Sequence, residues 1–322
     1  MNPGPLLLVP RTGKGRGGGH LVRCTALVRE LRSLGREAWL YLPGFTGDTR
    51  AFGGDSPDGA GFDPGRIMTG EGELRGRPWD WIILDYFRTP RKLFEELAAL
   101  APLIAIDEGG PCRGRCDFTL DLLPGLSDSP GKGANYFLPG LLPLPKNRRP
   151  SFYPASPDRP PRVLVSFGAE DPRKLTVPLA LALRGQTPEG QTPEISVLFG
   201  PLYDRGNPSR TAEDRRVLEG AGIRVLGEVP LLREHLAEYD LVITHFGLTA
   251  FEALHARTAV LLLAPGGCHE KLAVRAGFPS AGIGRRGIGR LRRMLGVKAP
   301  SKTGKADPLS PPGLAELRRR CE

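Results

Sequence analysis

Short apolar runs alternate with amphipathic helical patterns along nearly all of the 322 residues, and this alternation constrains the fold more than any other feature. It is typical of α/β domains built on parallel sheets. A first series predicts strands near 6–9, 38–42, 81–84, 103–106 and 118–122, with helices near 20–34 and 91–101. The stretch 44–76 is dense in glycine, aspartate and proline, and predicts a long loop with at most a poor strand. The chain therefore begins with one Rossmann-like domain.

A basic, proline-rich segment at 146–161 is typical of a linker and separates this series from a second one. The second series predicts strands near 163–167, 195–199, 223–226, 241–244 and 260–263, and helices near 175–184, 212–221, 231–239, 249–256 and 269–276. The predicted domains are residues 1–148 and 149–297, followed at 298–322 by a flexible tail and a short basic helix. The expected fold is α/β, with two Rossmann-like domains whose parallel sheets face a cleft.

Composition excludes several classes of protein. The apolar runs are too short to cross a bilayer, and the N-terminus lacks the features of a signal peptide, so a cytoplasmic location is expected. Five cysteines at irregular spacing do not form a disulfide framework. Cys112 and Cys116 could ligate a metal, but no second pair accompanies them at zinc-site spacing. Neither a metal nor another cofactor is expected.

The formal net charge of +10 favours anionic partners. Much of the charge lies near the C-terminus, in Arg285, Arg286, Arg290, Arg292, Arg293 and residues 318–320. No aromatic residues that could stack on bases are interleaved with these arginines, so nucleic acid is not expected as a partner. Two interpretations stay open: a solvated helix face, or a peripheral contact with a membrane surface or an anionic glycan.

A glycine-rich segment, GKGRGGGH at 13–20, joins the first strand to the first helix, where backbone N–H groups can meet an anion. It lacks the Lys-Ser/Thr pair of a P-loop. The acidic residue of a dinucleotide site is also missing, because residues 41–43 are Tyr-Leu-Pro. His20 closes the segment at the start of the helix. It could act as a base, bind an anion, or be an exposed capping residue.

Three acidic residues, Asp85, Asp107 and Glu108, end strands of the first domain, on the edge where α/β proteins bind ligands. Each could orient His20, bind a sugar, or serve a turn.

In the second domain, Gly247 lets the backbone approach a phosphate, Thr249 opens a helix, and Glu252 lies one turn further on. A carboxylate at that place can accept hydrogen bonds from ribose hydroxyls. The alternative is a threonine cap with an exposed glutamate. His269 and Glu270 open the next helix and either contact a sugar or cap that helix.

Several of these segments together carry a resemblance to a known family. HLVRC at 20–24 with its preceding glycines, DWIILD at 80–85, IDE at 106–108, FGAEDP at 167–172 and GLTAFE at 247–252 occur in order. The set resembles the pseudaminic-acid pathway nucleotide-sugar hydrolases and their spore-coat polysaccharide relatives. The resemblance covers the chain to about Gly277.

The resemblance implies a GT-B fold and hydrolysis of a UDP-activated diacetamido-trideoxy sugar, with His20 and Asp85 in catalysis. It implies that the sugar side includes Gly18, Gly19, Arg23, Tyr86, Asp107, His269 and Glu270. It implies that the nucleotide contacts Gly168, Gly247, Leu248, Thr249 and Glu252.

Two alternatives to the hydrolase stay open. The same site with an acceptor hydroxyl in place of water would be a metal-independent glycosyltransferase that uses a UDP-sugar. The sequence also departs from the family, with Phe87 where the family has tyrosine, Phe246 where it has glycine, and Phe251 where it has a polar residue or tryptophan. These phenylalanines motivate the second alternative, a protein that binds sugar nucleotides without catalysis.

Overall fold

The computed structural model describes residues 4–12, 19–43, 66–123, 134–137, 144–152, 159–188, 190–200, 203, 208–227 and 229–297. The chain divides into two compact units, Met1–Leu142 (unit 1) and Pro143–Glu322 (unit 2), a few residues before the predicted boundary. Gly18 and the predicted basic tail at 298–322 lie outside the described residues.

Unit 1 contains a seven-stranded parallel sheet. Its strands are β1 Leu6–Pro10, β2 Ala38–Tyr41, β3 Ile67–Met68, β4 Trp81–Asp85, β5 Leu103–Ile106, β6 Phe118–Asp121 and β7 Ala134–Phe137. Their order is β3-β2-β1-β4-β5-β6-β7. The helices are α1 Gly19–Ser33, α2 Glu71–Arg75 and α3 Arg91–Ala98, with a 3₁₀ turn at Arg113–Arg115.

The central strands β1, β2, β4 and β5 form because their residues are almost all apolar and are covered on both faces. On one face, Cys24 and Val28 of α1 pack against Leu8 and Leu40. The strand order reverses between β1 and β4, and in open α/β sheets ligands bind beyond the carboxyl ends of the strands at such a point. The backbone N–H of Arg11 donates to the carbonyl of Asp85 there, at 2.9 Å.

Unit 2 contains a six-stranded parallel sheet. Its strands are β8 Arg162–Val165, β9 Glu194–Leu198, β10 Arg224–Leu226, β11 Leu241–Thr244, β12 Ala259–Ala264 and β13 Ser280–Ile283, in the order β10-β9-β8-β11-β12-β13. The helices are α4 Thr176–Ala182, α5 Pro208–Gly220, α6 Leu248–His255, α7 Gly267–Arg275 and α8 Gly284–Leu295. The reversal point lies between β8 and β11.

The expected α/β class with two parallel sheets is confirmed, and four local details differ from the expectation. The segment predicted as a helix near 231–239 is a 3₁₀ helix, Leu232–Glu238. The described end of the predicted long loop contains β3 and α2. The strands β7 and β13 were not predicted, since both are short and β13 contains glycine and serine. The helix α8 was not among the predicted elements, because its apolar residues are separated by arginines, although a solvated helix face was one interpretation of those arginines.

The residues just before β8 are tied to unit 2 by the buried carboxylate of Asp240. Arg149 Nη2 lies 3.0 Å and Arg159 Nη1 2.8 Å from its oxygens, and the backbone N–H of Arg162 donates to it at 2.9 Å. The described part of this linker is therefore an ordered component of unit 2. No described helix has the length and apolar character needed to cross a membrane.

Candidate functional site

The carboxyl ends of β1 and β4 bring together the first candidate group of residues. Asp85 is the last residue of β4, and His20 lies in the first turn of α1, which follows β1. Asp85 is completely buried and His20 is only 6% exposed. His20 is therefore not the exposed capping residue that the sequence left open.

His20 and Asp85 form a direct hydrogen bond, with Nδ1 2.7 Å from Oδ1. Burial opposes ionisation of Asp85, but the charges of Arg23 and His20 outweigh it and lower the pKa of Asp85 to about 2. An ionised carboxylate only accepts hydrogen bonds, so Nδ1 of His20 must carry the proton. In the neutral ring Nε2 then has the free lone pair that a general base needs.

Arg23 lies one helical turn after His20 and joins two carboxylates. Its Nε and Nη2 donate to the two oxygens of Asp85, at 2.8 and 2.5 Å, and its Nη1 donates to Asp107 Oδ2 at 2.5 Å. Burial opposes the charge of Arg23, but the two carboxylates raise its pKa above the ordinary value. The resemblance implied that Arg23 binds the substrate, whereas the structure uses its donors within the protein.

Asp107 is held on its other side by the backbone. Its Oδ1 accepts hydrogen bonds from the N–H groups of Leu122 and Leu123, at 2.8 and 2.9 Å, and its own φ is 53°. Burial raises the pKa of Asp107 despite the nearby charge of Arg23. The carboxylate of Asp107 therefore anchors Arg23, and its implied substrate contact stays a prediction.

Two further side chains, Phe87 and Cys24, contact this group. The ring of Phe87 meets the His20 imidazole edge to face, with centroids 4.7 Å apart. Cys24 Sγ lies 3.7 Å from Asp85 Oδ2, and burial raises the pKa of the Cys24 thiol well above its ordinary value. Phe87, at a position where the family has tyrosine, packs directly against the imidazole.

The remaining candidates of unit 1 make other contacts. Tyr86 was predicted to contact the substrate, but it is 4% exposed and packs in the core of unit 1. Glu108 accepts hydrogen bonds from the Thr89 backbone and hydroxyl and from the Gly110 N–H, so it fixes a loop. Gly19 is exposed and begins α1.

In unit 2, the ends of β8 and β11 bring two predicted glycines against a histidine that the sequence analysis missed. A Cβ atom added at Gly168 or Gly247 would lie 3.6 Å from the ring of His245. Gly168 has a φ of +74°, which favours glycine. His245 follows β11 directly, just as the acidic candidates of unit 1 lie at strand ends. This position is the sequence signal by which His245 could have been predicted.

Both ring nitrogens of His245 face backbone carbonyls. Nε2 lies 2.8 Å from the oxygen of Phe167, and Nδ1 lies 2.8 Å from that of Phe246. A neutral imidazole has one N–H, so only the protonated ring can donate to both oxygens. Burial nevertheless lowers the pKa of His245. An anion placed beside this ring would favour its protonated form.

The helix α6 begins at this place and carries the other predicted nucleotide contacts. Leu248 and Thr249 lie in its first turn, Gly247 precedes it, and Glu252 follows one turn later. Burial raises the pKa of Glu252 to about 7, against an opposing effect of Arg233. A half-buried carboxyl group near a helix N-terminus can accept hydrogen bonds from hydroxyl groups once it is ionised.

The phenylalanines that depart from the family pattern contact one another. The rings of Phe246 and Phe251 are 5.6 Å apart, and Phe278 lies 5.0 Å from Phe251. Phe246 is 1% exposed. The two unusual residues are thus accommodated by mutual packing with a third aromatic ring.

The two candidates at the start of α7 have different surroundings. His269 lies beside His245, with ring centroids 5.1 Å apart. Glu270 Oε2 lies 2.5 Å from the Ser280 hydroxyl, which joins α7 to β13. His269 is therefore placed with the histidine and the glycine turns, while Glu270 fastens the helix to the sheet.

The backbones of the loops that follow β8 and β9 approach each other closely. A Cβ atom at Gly200 would overlap the carbonyl oxygen of Gly168 and the backbone of Ala169. Only glycine fits at position 200, because the loops that follow β8 and β9 touch there. Among the described residues no group of three or more His, Cys, Asp or Glu side chains could hold a metal ion.

Two Rossmann-like units, each with its residues gathered at the reversal point of a parallel sheet, define the GT-B class of fold. No family profile matches the chain. No curated protein matches it either.

Solved structures match the chain over nearly its full length. The spinosyn forosaminyltransferase SpnP has a TM-score of 0.51 and 15% identity, over 99% of this chain and 94% of its own. A glycosyltransferase from Rickettsia africae has a TM-score of 0.51 and 12% identity, over 100% and 94%. Anabaena HepE in complex with UDP and glucose has a TM-score of 0.51 and 15% identity, over 89% and 88%. At these identities the similarity shows the fold.

Proposed function

We propose that the protein is an enzyme that cleaves a UDP-activated amino-deoxy sugar at the anomeric carbon, with water as the nucleophile. The observation that carries this proposal is the His20–Asp85 pair, in which Asp85 fixes the proton on Nδ1 and leaves Nε2 as a base. The order of motifs that resembles the pseudaminic-acid pathway hydrolases supports water as the acceptor.

In the proposed reaction, His20 Nε2 removes a proton from water as the water oxygen attacks the anomeric carbon. A new bond forms between that carbon and the water oxygen, and the bond to the diphosphate oxygen breaks. The electron pair leaves with UDP, and the sugar is released with a hydroxyl group at the anomeric carbon. General-base catalysis of this kind contributes ~10²–10⁴-fold in rate.

We assign the nucleotide to unit 2. The N–H groups at the start of α6 and in the turn at Gly168 would donate hydrogen bonds to the diphosphate, with His245 between the two turns. Glu252, one turn into α6, would accept the ribose hydroxyls. The histidine between two glycine turns supports an anionic ligand, since its ring needs a second proton to satisfy both carbonyls.

Transfer to an acceptor hydroxyl is the second candidate function, and the fold shared with solved glycosyltransferases supports it. The same base would then act on an alcohol. A non-catalytic sugar-nucleotide-binding protein is the third, and the intact His20–Asp85 pair argues against it.

The test is incubation with a panel of UDP-sugars in water enriched in oxygen-18. Hydrolysis gives UDP and a free sugar with the label at its anomeric hydroxyl. UDP release only after addition of hydroxyl acceptors, including lipid-linked saccharides, would replace the hydrolase by the transferase. Binding of UDP-sugars without UDP release under either condition would leave a binding protein.

We also propose that α8 makes the peripheral contact with an anionic membrane surface. The helix contains five arginines and no acidic residue, and Arg285, Arg286, Arg290 and Arg293 are exposed, while Ile288 and Leu291 face the core. Each basic residue near an anionic surface contributes about 1 kcal/mol.

Sedimentation with phosphatidylcholine vesicles, with and without phosphatidylserine, tests this contact. Changing Arg285, Arg290 and Arg293 to serine should remove binding to the anionic vesicles. The matched control removes the same charge from α5, through Arg210, Arg215 and Arg216. Equal binding by the two triple variants would exclude α8 as the contact.

A further inference from the structure

The buried guanidinium of Arg23 is positioned to act on His20 without contacting a substrate. Arg23 is 6% exposed, and Asp85 and Asp107 are fully buried. Its Nε and Nη2 form a fork on both oxygens of Asp85, and Nη1 points to Asp107. All three nitrogens of the side chain thus donate to carboxylates of the protein.

The charges in this group explain why a cation is needed next to a His–Asp pair. A buried carboxylate is costly unless it is paired. If Arg23 did not pair with Asp85, the negative charge of that carboxylate would be balanced by protonation of the His20 ring. A carboxylate at hydrogen-bond distance favours the protonated imidazole, which has no lone pair with which to accept a proton.

We propose that Arg23 is a positioning residue, which neutralises and orients Asp85 so that His20 stays available as a base. This inference rests on the proposed role of His20. Asp107 also contributes to this positioning. It holds Arg23 and is itself held by hydrogen bonds from the N–H groups of Leu122 and Leu123. The residues at the ends of β5 and β6 therefore fix the position of Arg23 on α1. Arg23 in turn fixes Asp85, which orients the imidazole.

The proposal is tested on the full chain by following the NMR signal of the His20 C2–H during a pH titration. The signal is assigned by its loss in H20N. The charged groups that face His20 in the described structure are Arg23 from α1 and Asp85 from β4, with Asp107 behind Arg23. In R23M the titration midpoint of His20 should move to higher pH by about 1–3 units, the usual effect of an opposite charge that is no longer neutralised.

Two comparisons separate this role from a merely structural one. R23K keeps the charge but loses the fork, so its His20 midpoint should stay within half a unit or so of the unchanged protein while kcat falls. R32M removes one positive charge from the same helix and should leave both the midpoint and kcat unchanged. Unchanged UDP affinity in R23M would show that unit 2 is intact.

An unchanged His20 midpoint in R23M overturns the proposal. If R23M does not fold, R23M/D107N removes one charge of each sign and should still move the midpoint upward, and an unchanged midpoint there overturns the proposal equally. The NMR titration needs no turnover. Failure of the proposed base role of His20 would be seen separately, as unchanged UDP release by H20N, and failure of the hydrolase proposal as UDP release only with an added acceptor.

Discussion

The carboxylate of Asp85 lies 2.7 Å from Nδ1 of His20, although the two residues are far apart in the sequence and on different elements. They meet because β1 and β4 are neighbouring parallel strands: Asp85 ends β4, and the helix α1, which carries His20, follows β1 at the same edge. The sheet topology therefore assembles the base and the group that orients it. This relationship leads to the first prediction.

H20N should lower kcat for UDP release by ~10²–10⁴-fold, the usual contribution of a general base. UDP affinity should stay nearly unchanged, because the nucleotide is assigned to unit 2. Steady-state kinetics and isothermal titration with UDP measure the two quantities. Loss of UDP binding with kcat intact would make His20 a ligand contact instead.

D85N should destabilise the fold by about 3 kcal/mol near neutral pH, because the buried Arg23 and His20 lose a charged partner. The folded pKa of Asp85 is lowered from 3.8 to about 2, so ionised Asp85 stabilises the fold above pH 3.8. That contribution is lost as the pH falls through about 2. Urea unfolding at several pH values should therefore show the difference between the two proteins shrinking from pH 4 to pH 2. A difference that did not vary with pH would contradict the charge pairing.

E252A should weaken UDP binding by ~1.5–3 kcal/mol, the scale of a hydrogen bond to a charged group. Because the pKa of Glu252 is raised to about 7, UDP affinity of the unchanged protein should rise as the pH increases through 7. Binding favours the ionised carboxylate, which accepts the ribose hydroxyls. E252Q is the control, and it should retain only the pH dependence that belongs to UDP itself and to His245. The same profile in both proteins would move the ribose elsewhere.

G200A should destabilise the fold by about 1–3 kcal/mol and weaken UDP binding, since the new methyl group would displace the loop that carries Gly168. G220A is the matched control. A Cβ atom at Gly220, the last residue of α5, meets nothing within 4 Å. Thermal unfolding and UDP titration of both variants measure the effect. Equal behaviour of the two variants would show that the approach of the two loops has no role.

Much of the fold could be predicted because hydrophobic periodicity records which elements are covered on both faces. The strands of the core are runs such as AVLLLA in β12, which the sequence displays directly. The strand β13 and the helix α8 depend on tertiary packing instead. Their apolar residues, such as Ile288 and Leu291, are few and become meaningful only when β12 lies beside them.

The candidate site was predictable in part, for the same physical reason. Strand ends at one sheet edge meet in space, so the sequence could associate His20 with Asp85. It could not show that Arg23 donates hydrogen bonds to two carboxylates, since such pairing depends on side-chain direction and burial. His245 was missed although its position after β11 was a signal, because a lone histidine after a strand does not indicate two carbonyl partners.

The attachment of the linker to Asp240 has a consequence for recombination between related proteins. Composition alone would place a junction within the proline-rich segment at 146–161. A chimaera joined near its end, just before Arg162, would separate unit 2 from Arg149 and Arg159 and leave Asp240 as a buried negative charge without its two guanidinium partners. Exchange of the second unit as a working module, by evolution or in the laboratory, therefore requires a crossover point upstream of Arg149.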